Sequence, residues 1–364
     1  MKILVDARSV GLRPSGVGMN LYSFMMAMRQ IPGVELYAAT DVDGSAEMER
    51  LRDHGVTVVM LAHHVRKDFS LLSYYRFLQK QIHEIRPDVF WEGNHLFPIR
   101  IENPYGRIAV TIYDMFPLTN PSWYHPLYPV YFRYGIRNTL KYTDRILYIS
   151  EQTKRESERF FPKAKEIRSN VAYVVMDPLP ELPIKDEKFF FYIGNLEKRK
   201  GTDILIKAYL KYLEESGDRD LILAGKIREA DIEKLLQKAM QKTNRIRYSG
   251  YVEYDERNRY YADCSAFVFP SRAEGFGMPV VEALSYRKPV IVSDIPIFRE
   301  ISGGLAECFH MSDDTEATVE ALKKKLLETQ FVLHKDTEVK AVTERYRPEI
   351  LAKQVISFFE EERK

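Results

Sequence analysis

The chain has 364 residues, 45% of them hydrophobic and 29% charged, which is the composition of a globular protein large enough for two domains. Its formal net charge of +2 gives no reason to expect nucleic acid as a partner. Two cysteines, Cys264 and Cys308, offer neither a disulfide framework nor a zinc spacing. The apolar run after Met1 is too short for a signal peptide, and no run approaches the ~20 residues of a spanning helix. We therefore expect a cytoplasmic protein, at most peripheral at the inner face of a membrane.

The first 177 residues alternate short apolar runs with longer mixed segments, which predicts parallel strands separated by helices. Ser150 is the expected N-cap of the helix that follows the last of these strands. Residues 115–134 are rich in proline and aromatic side chains, and we predict an irregular binding loop there, not a packed helix. The predicted strands are residues 3–5, 34–39, 56–61, 88–91, 108–113 and 145–150.

A glycine-rich loop, Gly11 to Gly18, lies between the first predicted strand and a predicted helix over residues 19–28. A strand, a glycine loop and a helix in that order are typical of dinucleotide-type folds. Gly16 and Gly18 would allow the backbone to approach a ligand closely. Glycine turns before helices are common, so a plain structural turn is an equally good interpretation.

A second α/β series begins after residues 177–183, where three prolines in seven residues predict a stiff connector. Its predicted strands are residues 189–193, 221–224, 246–249, 266–269 and 289–293. A last helix follows Tyr346 and carries apolar residues at helical spacing. We predict domains at 1–177 and 184–345, a C-terminal helix at 346–364, and an α/β fold of two doubly wound Rossmann-like domains that face a cleft.

The most informative stretch runs from the apolar strand at 266–269 through a glycine-flanked loop into a helix, whose first position we predict at Pro279. Glu274 lies in the loop and Glu282 in the helix. A helix N-terminus at the end of a parallel strand is a usual site for a phosphate-bearing ligand. Two carboxylates could also act as acid and nucleophile in glycoside hydrolysis. A glutamate near a helix N-terminus more naturally accepts sugar or ribose hydroxyls, or simply complements the helix dipole.

A run of three cations, Lys198, Arg199 and Lys200, follows the predicted strand at 189–193. Basic side chains at the carboxyl end of a strand suit a pyrophosphate. A solvated basic turn is the alternative, but ligands of open α/β sheets bind at this end of the strands. We therefore expect Arg199 or Lys200 to contact phosphate, and Lys198 to lie at the surface.

No metal site is predicted. Asp41 and Asp43 could hold Mg²⁺, but the following Gly44 favours a turn. His63 and His64 are adjacent, and no third ligand lies near them in sequence. The aromatic and basic residues of 64–86 and 133–141 could rest on an anionic membrane. Amphipathic helices that turn their aromatic side chains toward the core are the favoured interpretation of both segments.

With its context, the Glu274 to Glu282 stretch resembles the E-x7-E signature of the family 4 retaining glycosyltransferases. Residues 192–200 are similar to the donor-phosphate segment of that family, notably of bacterial mannosyl- and rhamnosyltransferases of surface-polysaccharide synthesis. Residues 15–18 resemble the family's N-terminal glycine loop. Asp114 stands at the family's strand-end His-Asp position. The resemblance covers nearly the whole chain.

The resemblance implies a GT-B fold, with a nucleotide-sugar donor held mainly by the second domain and a final helix that crosses back to the first. It implies retaining, metal-independent transfer of a hexose, mannose or rhamnose favoured, from a GDP-, dTDP- or UDP-linked donor to a glycan or lipid-linked acceptor, with no other cofactor. Glu274 would bind donor-sugar hydroxyls at the reaction centre, and Glu282 the ribose. Arg199 and Lys200 would neutralise the departing diphosphate, and Asp114 completes the catalytic set. The other expected donor-binding residues are Gly16, Gly18, Gly194, Asn195, Tyr251, Val252, Gly275, Phe276, Gly277 and Met278.

Two departures from the family pattern leave the donor open. Tyr113 stands where many members have histidine, and Asn195 where others have arginine or threonine. A nucleotide-sugar epimerase on the same fold and a non-catalytic sugar-nucleotide-binding protein are the alternative functions. A phosphorylase is a weaker alternative, because no site for pyridoxal phosphate is evident.

Overall fold

The computed structural model describes residues 1–12, 15–41, 44–61 and 70–361. Contacts divide the chain into two compact units, residues 1–177 with 346–364, and residues 178–345. The predictions made for Asp43, His63 and His64 fall outside the described residues.

The first unit is built on a seven-stranded sheet in the order β3-β2-β1-β4-β5-β6-β7. Each described pairing is parallel, and the central strands are buried at nearly every position, as expected for a sheet covered on both faces. The strands are β1 (Lys2–Asp6), β2 (Glu35–Thr40), β3 (Thr57–Met60), β4 (Val89–Glu92), β5 (Arg107–Ile112), β6 (Arg145–Tyr148) and β7 (Arg168–Val171). The strand order reverses between β1 and β4, which is the topological switch point of this sheet.

Helices connect these strands. They are α1 (Gly16–Met28), α2 (Ala46–Asp53), α3 (Ser70–Ile85), α4 (Phe116–Thr119), α5 (Leu127–Tyr142) and α6 (Glu151–Phe160). The predicted N-cap of α6 is confirmed, because the Ser150 hydroxyl accepts a hydrogen bond from the backbone N–H of Thr153 at 3.0 Å.

The prediction of an irregular loop over residues 115–134 is wrong for its second half. Helix α5 begins at Leu127 and buries Phe132, Ile136 and Leu140 on one face. Proline is tolerated in the first turn of a helix, where the N–H groups have no intrahelical partner. The prolines of this segment therefore mark the start of a helix and do not prevent one.

The second unit holds a six-stranded sheet in the order β10-β9-β8-β11-β12-β13, with its switch point between β8 and β11. Its strands are β8 (Phe189–Ile193), β9 (Asp220–Ala224), β10 (Ile246–Gly250), β11 (Ala266–Phe269), β12 (Val290–Ser293) and β13 (Glu307–Phe309). Its helices are α7 (Thr202–Glu214), α8 (Ala230–Lys242), α9 (Tyr254–Asp263), α10 (Met278–Ser285), α11 (Pro296–Ser302), α12 (Thr315–Glu328) and α13 (Asp336–Thr343).

The last helix, α14 (Pro348–Glu360), belongs to the first unit. It packs against α1, and the ring of Phe359 meets that of Trp91 edge-on with centroids 5.7 Å apart. The Arg107 guanidinium donates to the Phe359 carbonyl near the end of the helix. The apolar side of α14 therefore completes the core of the first unit.

Candidate functional site

The predicted site residues of the second unit lie at its switch point. Strand β8 ends at Ile193 and leads into residues 194–201, and the neighbouring β11 ends at Phe269 and leads into residues 270–277. The carboxyl ends of adjacent parallel strands lie at one edge of the sheet, so the fold brings these two loops together. Ligands of open α/β sheets bind at this position.

Backbone and side-chain contacts fix the two loops against each other. The backbone N–H of Arg272 donates to the carbonyl of Arg199 at 2.8 Å. The Arg272 guanidinium forks onto both carboxylate oxygens of Asp203 at 2.7 and 2.9 Å. Gly201 has φ +69°, and a Cβ there would lie 1.9 Å from the carbonyl oxygen of Pro270. Only glycine fits this crossing, so the loops are held in one register.

Glu274 is the centre of this arrangement. Its two carboxylate oxygens accept hydrogen bonds from the Lys200 ammonium at 2.6 and 2.8 Å, and Oε1 also accepts one from the Ser271 hydroxyl at 2.6 Å. The side chains of Glu274 and Lys200 are only 7% and 16% exposed. Loops that follow different strands therefore place a carboxylate and an ammonium in direct contact in a largely buried position.

Arg199 adds a second cation to this cluster. One guanidinium nitrogen lies 2.6 Å from the Glu197 carboxylate, and the other lies 3.8 Å from Glu274 and donates to the Ala273 carbonyl at 3.2 Å. Lys198 instead pairs with Asp231 at 3.1 Å at the surface, as predicted. Arg199 and Lys200 thus converge on Glu274, whereas Lys198 points elsewhere.

The helix after the loop begins one residue earlier than predicted, at Met278, so Pro279 is its second residue. Gly277 caps it with φ +103°, and a Cβ there would lie 2.9 Å from the ring of Phe298. Phe276 is buried, whereas Gly275 and Met278 are half-buried. The N-terminal N–H groups of α10 therefore follow directly on the loop that carries Glu274, as an anion site requires.

Glu282 lies in a separate polar group, between α10 and α9. Its carboxylate accepts a hydrogen bond from the Tyr261 hydroxyl at 2.7 Å and lies 3.3 Å from the Arg257 guanidinium. Burial raises the pKa of Tyr261 well above its ordinary value, and the Glu282 carboxylate raises it further. Tyr261 therefore stays a hydrogen-bond donor and holds one oxygen of Glu282 in place.

The remaining predicted donor residues of the second unit line the ends of β8 and β10. A Cβ at Gly225 would lie 1.9 Å from the carbonyl oxygen of Gly194, so the backbone is close-packed here. The Tyr192 hydroxyl donates to the Asn195 carbonyl at 2.8 Å. Beyond β10, Tyr251 is 69% exposed and Val252 is buried. The Lys226 ammonium lies over the Tyr251 ring, 5.9 Å from its centroid. The exposure of this ring nevertheless suits stacking of a planar ligand.

The other predicted residues belong to the first unit. Gly16 and Gly18 lie in the first turn of α1, so the prediction that they form part of a loop is wrong. A Cβ at Gly16 would meet nothing within 4 Å, and packing does not require a glycine there. Asp114 follows β5, and its Oδ1 accepts the backbone N–H of Phe116 at 3.0 Å.

Sequence reasoning missed several residues that the fold places beside the predicted ones. Ser271 and Tyr261 bind the two predicted glutamates. In the first unit, His95 lies beside Tyr113, whose backbone N–H points at its Nδ1 at 3.3 Å. Burial lowers the pKa of His95, although Asp114 opposes the shift. The signal available for His95 was a histidine three residues after the end of a buried strand, and Ser271 lies between the predicted strand at 266–269 and Glu274.

Within the described ranges, no three or more His, Cys, Asp or Glu side chains are grouped so that they could hold a metal ion. Metal independence stays a prediction. In the same part of the chain, the helices are too short or too polar to cross a membrane.

Comparison with solved structures shows which fold this architecture has. The lipopolysaccharide outer core galactosyltransferase WaaB, in its apo form, superposes with a TM-score of 0.70 at 16% identity over 98% of this chain and 99% of that one. Anabaena Alr3699/HepE in complex with UDP gives 0.70 at 17% identity over the same shares. The chain has the GT-B fold, and the predicted fold class is confirmed.

Residues 179–347 match the family model described as glycosyl transferases group 1, and this match confirms the predicted resemblance. The chain is 29% identical to O-antigen chain mannosyltransferase B of Escherichia coli, over 83% of this chain and 85% of that protein. It is 26% identical to O-antigen chain mannosyltransferase RfbU of Salmonella typhimurium, over 80% and 82%.

Proposed function

We propose that this chain is a retaining, metal-independent glycosyltransferase that moves a hexose from a nucleoside-diphosphate sugar to a glycan or lipid-linked acceptor. Mannose is the favoured hexose and rhamnose the second choice, since both whole-length relatives described above are named O-antigen mannosyltransferases. The same names support a place in surface-polysaccharide synthesis, and hence action in the cytoplasm or at the inner face of a membrane.

One observation carries the proposal: Glu274 lies in a cradle of Lys200, Arg199 and Ser271 at the switch point of a group 1 glycosyltransferase domain. Without a donor, the two cations neutralise Glu274. When a diphosphate arrives, its oxygens compete for the same N–H donors. Glu274 is then free to accept hydrogen bonds from sugar hydroxyls, which a carboxylate can only accept and never donate.

Arg199 and Lys200 would act by electrostatic stabilisation. As the bond between the sugar and the diphosphate lengthens, negative charge develops on the departing phosphate oxygen. Arg199 and Lys200, fixed by the crossing of the two loops, meet this charge with little reorganisation, and such preorganised groups are worth most in the transition state. Glu282, held by Tyr261 and Arg257, would grip the ribose, and Tyr251 would stack on the base.

Retention of anomeric configuration requires that the acceptor attack from the face that the diphosphate leaves, or that two inversions occur in turn. We assign no carboxylate as nucleophile, because Glu274 is assigned to the sugar hydroxyls and Glu282 is held by Tyr261 and Arg257. Attack on the same face, with the departing phosphate taking the acceptor proton, is the route that these residues suit.

The test is direct. The purified chain is incubated with GDP-, dTDP- and UDP-sugars and a mannose-bearing acceptor, with and without EDTA, and the product anomer is read by NMR. We expect transfer with retention from one donor, undiminished by EDTA, and loss of transfer in Glu274→Ala. An inverted product, or activity abolished by EDTA, would contradict the mechanism.

The same assay separates the alternatives. An epimerase would convert the donor without an acceptor and release an isomeric nucleotide sugar. A binding protein would be stabilised by a donor but would not turn it over. A donor at ~100 times its Kd adds about 2.7 kcal/mol to stability. No thermal shift with any nucleotide sugar, together with no turnover, would overturn the proposed function altogether.

A further inference from the structure

Two carboxylates are buried side by side at the switch point of the first unit. Asp6 is the last residue of β1 and Glu92 the last of β4, and the two are register partners across the sheet. Both side chains are fully buried. Two like charges on register partners of adjacent strands, in a low-dielectric site, strongly disfavour double ionisation. The proposed donor site uses neither residue.

One oxygen of each carboxylate accepts hydrogen bonds, and the other has no donor among the described residues. Asp6 Oδ1 accepts from the Tyr74 hydroxyl at 2.6 Å and from the Arg8 backbone N–H at 3.1 Å. Glu92 Oε1 accepts from the Asn94 backbone N–H at 2.9 Å. The other oxygens, Asp6 Oδ2 and Glu92 Oε2, are buried and have no donor among the described residues. A single proton between the two carboxyls would give each of these oxygens a partner.

Arg8 lies over this pair. Its guanidinium is 3.9 Å from Asp6 Oδ2, and it covers the ring of Tyr74 with 4.6 Å to the centroid. Its side chain is 24% exposed, so it reaches the surface that Asp6 and Glu92 do not. Arg8 therefore links a fully buried acidic pair to the carboxyl edge of the sheet.

The electrostatic surroundings agree with one shared proton. Burial raises the pKa of Glu92 well above its ordinary value, Asp6 raises it further, and Arg8 opposes the shift. The other titratable side chains that the Glu92 carboxylate influences come from α3, from the end of β5 and from α5. They are Tyr74, Tyr75, Tyr113 and Tyr131.

We propose that Asp6 and Glu92 hold one proton between them at neutral pH, and that this pair positions Arg8 to contact the hydroxyls of the acceptor saccharide. The assignment of the ligand rests on the proposed function. With one proton, the pair carries a single negative charge, which balances the single positive charge of Arg8. The flat guanidinium then lies on Tyr74, and its Nη2 donates to the Tyr75 hydroxyl at 3.4 Å. Its other N–H groups are the donors that we assign to sugar oxygens. A second negative charge would draw Arg8 inward and occupy those donors.

Stability against pH tests the shared proton. The folded chain keeps a proton that the unfolded chain releases above about pH 4.5. Stability is therefore lost as pH rises toward the folded-state pKa, and Glu92→Gln, a neutral isostere, escapes this loss. Relative to Glu92→Gln, we expect the wild-type unfolding constant to rise about tenfold per pH unit from pH 5 upward. Both tryptophans, Trp91 and Trp123, lie in the first unit, so their fluorescence follows its unfolding.

Glu49→Gln is the matched control, since Glu49 is exposed on α2 of the same unit. We expect its stability difference from wild type to be independent of pH above pH 6. If Glu92→Gln behaves as this control does, Glu92 is ionised in the folded chain and the proposal is overturned.

Transfer kinetics test the positioning of Arg8. We expect the wild-type KM for acceptor to rise at alkaline pH, where the pair loses its proton, and Glu92→Gln to show no such rise. Arg8→Lys keeps the charge but not the planar fork, and we expect it to raise the acceptor KM at least tenfold while the donor KM stays unchanged. An unchanged acceptor KM in Arg8→Lys would remove Arg8 from the acceptor site. Failure of the wild type to transfer any sugar would refute the proposed function. The unfolding experiment does not depend on transfer, so it would still show whether Asp6 and Glu92 share a proton.

Discussion

Replacing Lys200 by methionine separates the stability of the switch-point cluster from its chemistry. The substitution keeps an unbranched apolar side chain and removes the ammonium that contacts both oxygens of Glu274. Glu274, 7% exposed, would keep the Ser271 hydroxyl and the Arg199 guanidinium at 3.8 Å. Removing one partner of a buried ion pair lowers the free energy of unfolding by about 3–5 kcal/mol. Because Glu274 keeps Ser271 and Arg199 as partners, we expect a loss at the lower end of this range, about 3 kcal/mol.

The double variant Lys200→Met/Glu274→Gln leaves no uncompensated charge. Because an apolar or neutral replacement of a whole pair is often nearly neutral, we expect it to recover most of that loss. Local stability is best read by hydrogen exchange in peptides covering residues 189–225 and 266–285 of the second unit. Lys198→Met is the control, since Lys198 pairs with Asp231 at the surface and should change stability by less than about 0.5 kcal/mol.

Activity should not follow stability in this series. Lys200 is assigned to charge that develops in the transition state, so Lys200→Met should lower kcat/KM by about 100-fold, or about 2.7 kcal/mol. The double variant should be as inactive as the single one or worse, and Lys198→Met should be near wild type. If the double variant recovers activity together with stability, Lys200 only supports the fold, and its assignment to the diphosphate is wrong.

Four further changes give separate tests. Glu282→Gln should raise the donor KM with little change in kcat, because a ribose grip acts equally in ground and transition states; a fall in kcat alone would contradict that role. Gly201→Ala should destabilise the second unit by more than about 3 kcal/mol, since its Cβ would meet a carbonyl at 1.9 Å, whereas Gly250→Ala, at φ +66° with nothing within 4 Å, should cost about 1 kcal/mol. Gly16→Ala should stabilise α1 by about 0.5–1 kcal/mol yet reduce transfer if a ligand approaches its backbone; unchanged kinetics would remove Gly16 from the site. Because burial lowers the pKa of His95, the folded chain resists a proton that the unfolded chain binds, so stability should fall between pH 7 and pH 5, and His95→Gln should flatten that fall in tryptophan fluorescence.

The features that sequence predicted well are those encoded within a few residues. The strand at 266–269 appears with the predicted bounds, and the Ser150 cap has the expected hydrogen bond. Each depends on local chemistry: an apolar run between breaks, and a hydroxyl three residues before an N–H. The start of α10 was missed by one residue, because a proline fits either of the first two helical positions.

Elements whose signal is weak or ambiguous were missed. Strand β7 is a half-buried edge strand of mixed composition, and β13 has only three residues. The first two turns of helix α5, residues 127–134, were predicted as a loop because proline and tyrosine lower helix propensity, while residues 133–141 were predicted as a helix. Its core face of Phe132, Ile136 and Leu140 overrides that preference through burial.

The two switch points differ in how far sequence reasoning could reach. In the second unit, a basic loop and a glutamate-bearing loop follow neighbouring strands, and each can be recognised from a motif of fewer than about ten residues. Their contact, Lys200 with Glu274, needed only the assumption that ligand-binding loops lie at one edge of a sheet. In the first unit, neither Asp6 nor Glu92 stands in any motif. Their meeting depends on the register between β1 and β4.

This difference has a physical origin. A diphosphate is recognised largely by backbone N–H groups, glycines and fixed cations. These groups require a particular local conformation of the chain, which appears in the sequence as a short motif. Hydroxyls of a saccharide are recognised by side chains that can come from any strand end, so only the fold assembles them. The donor site of such an enzyme can therefore be predicted from its sequence. The proposed acceptor site can be recognised only in the folded chain, where Asp6 and Glu92 are register partners and Arg8 lies beside Asp6.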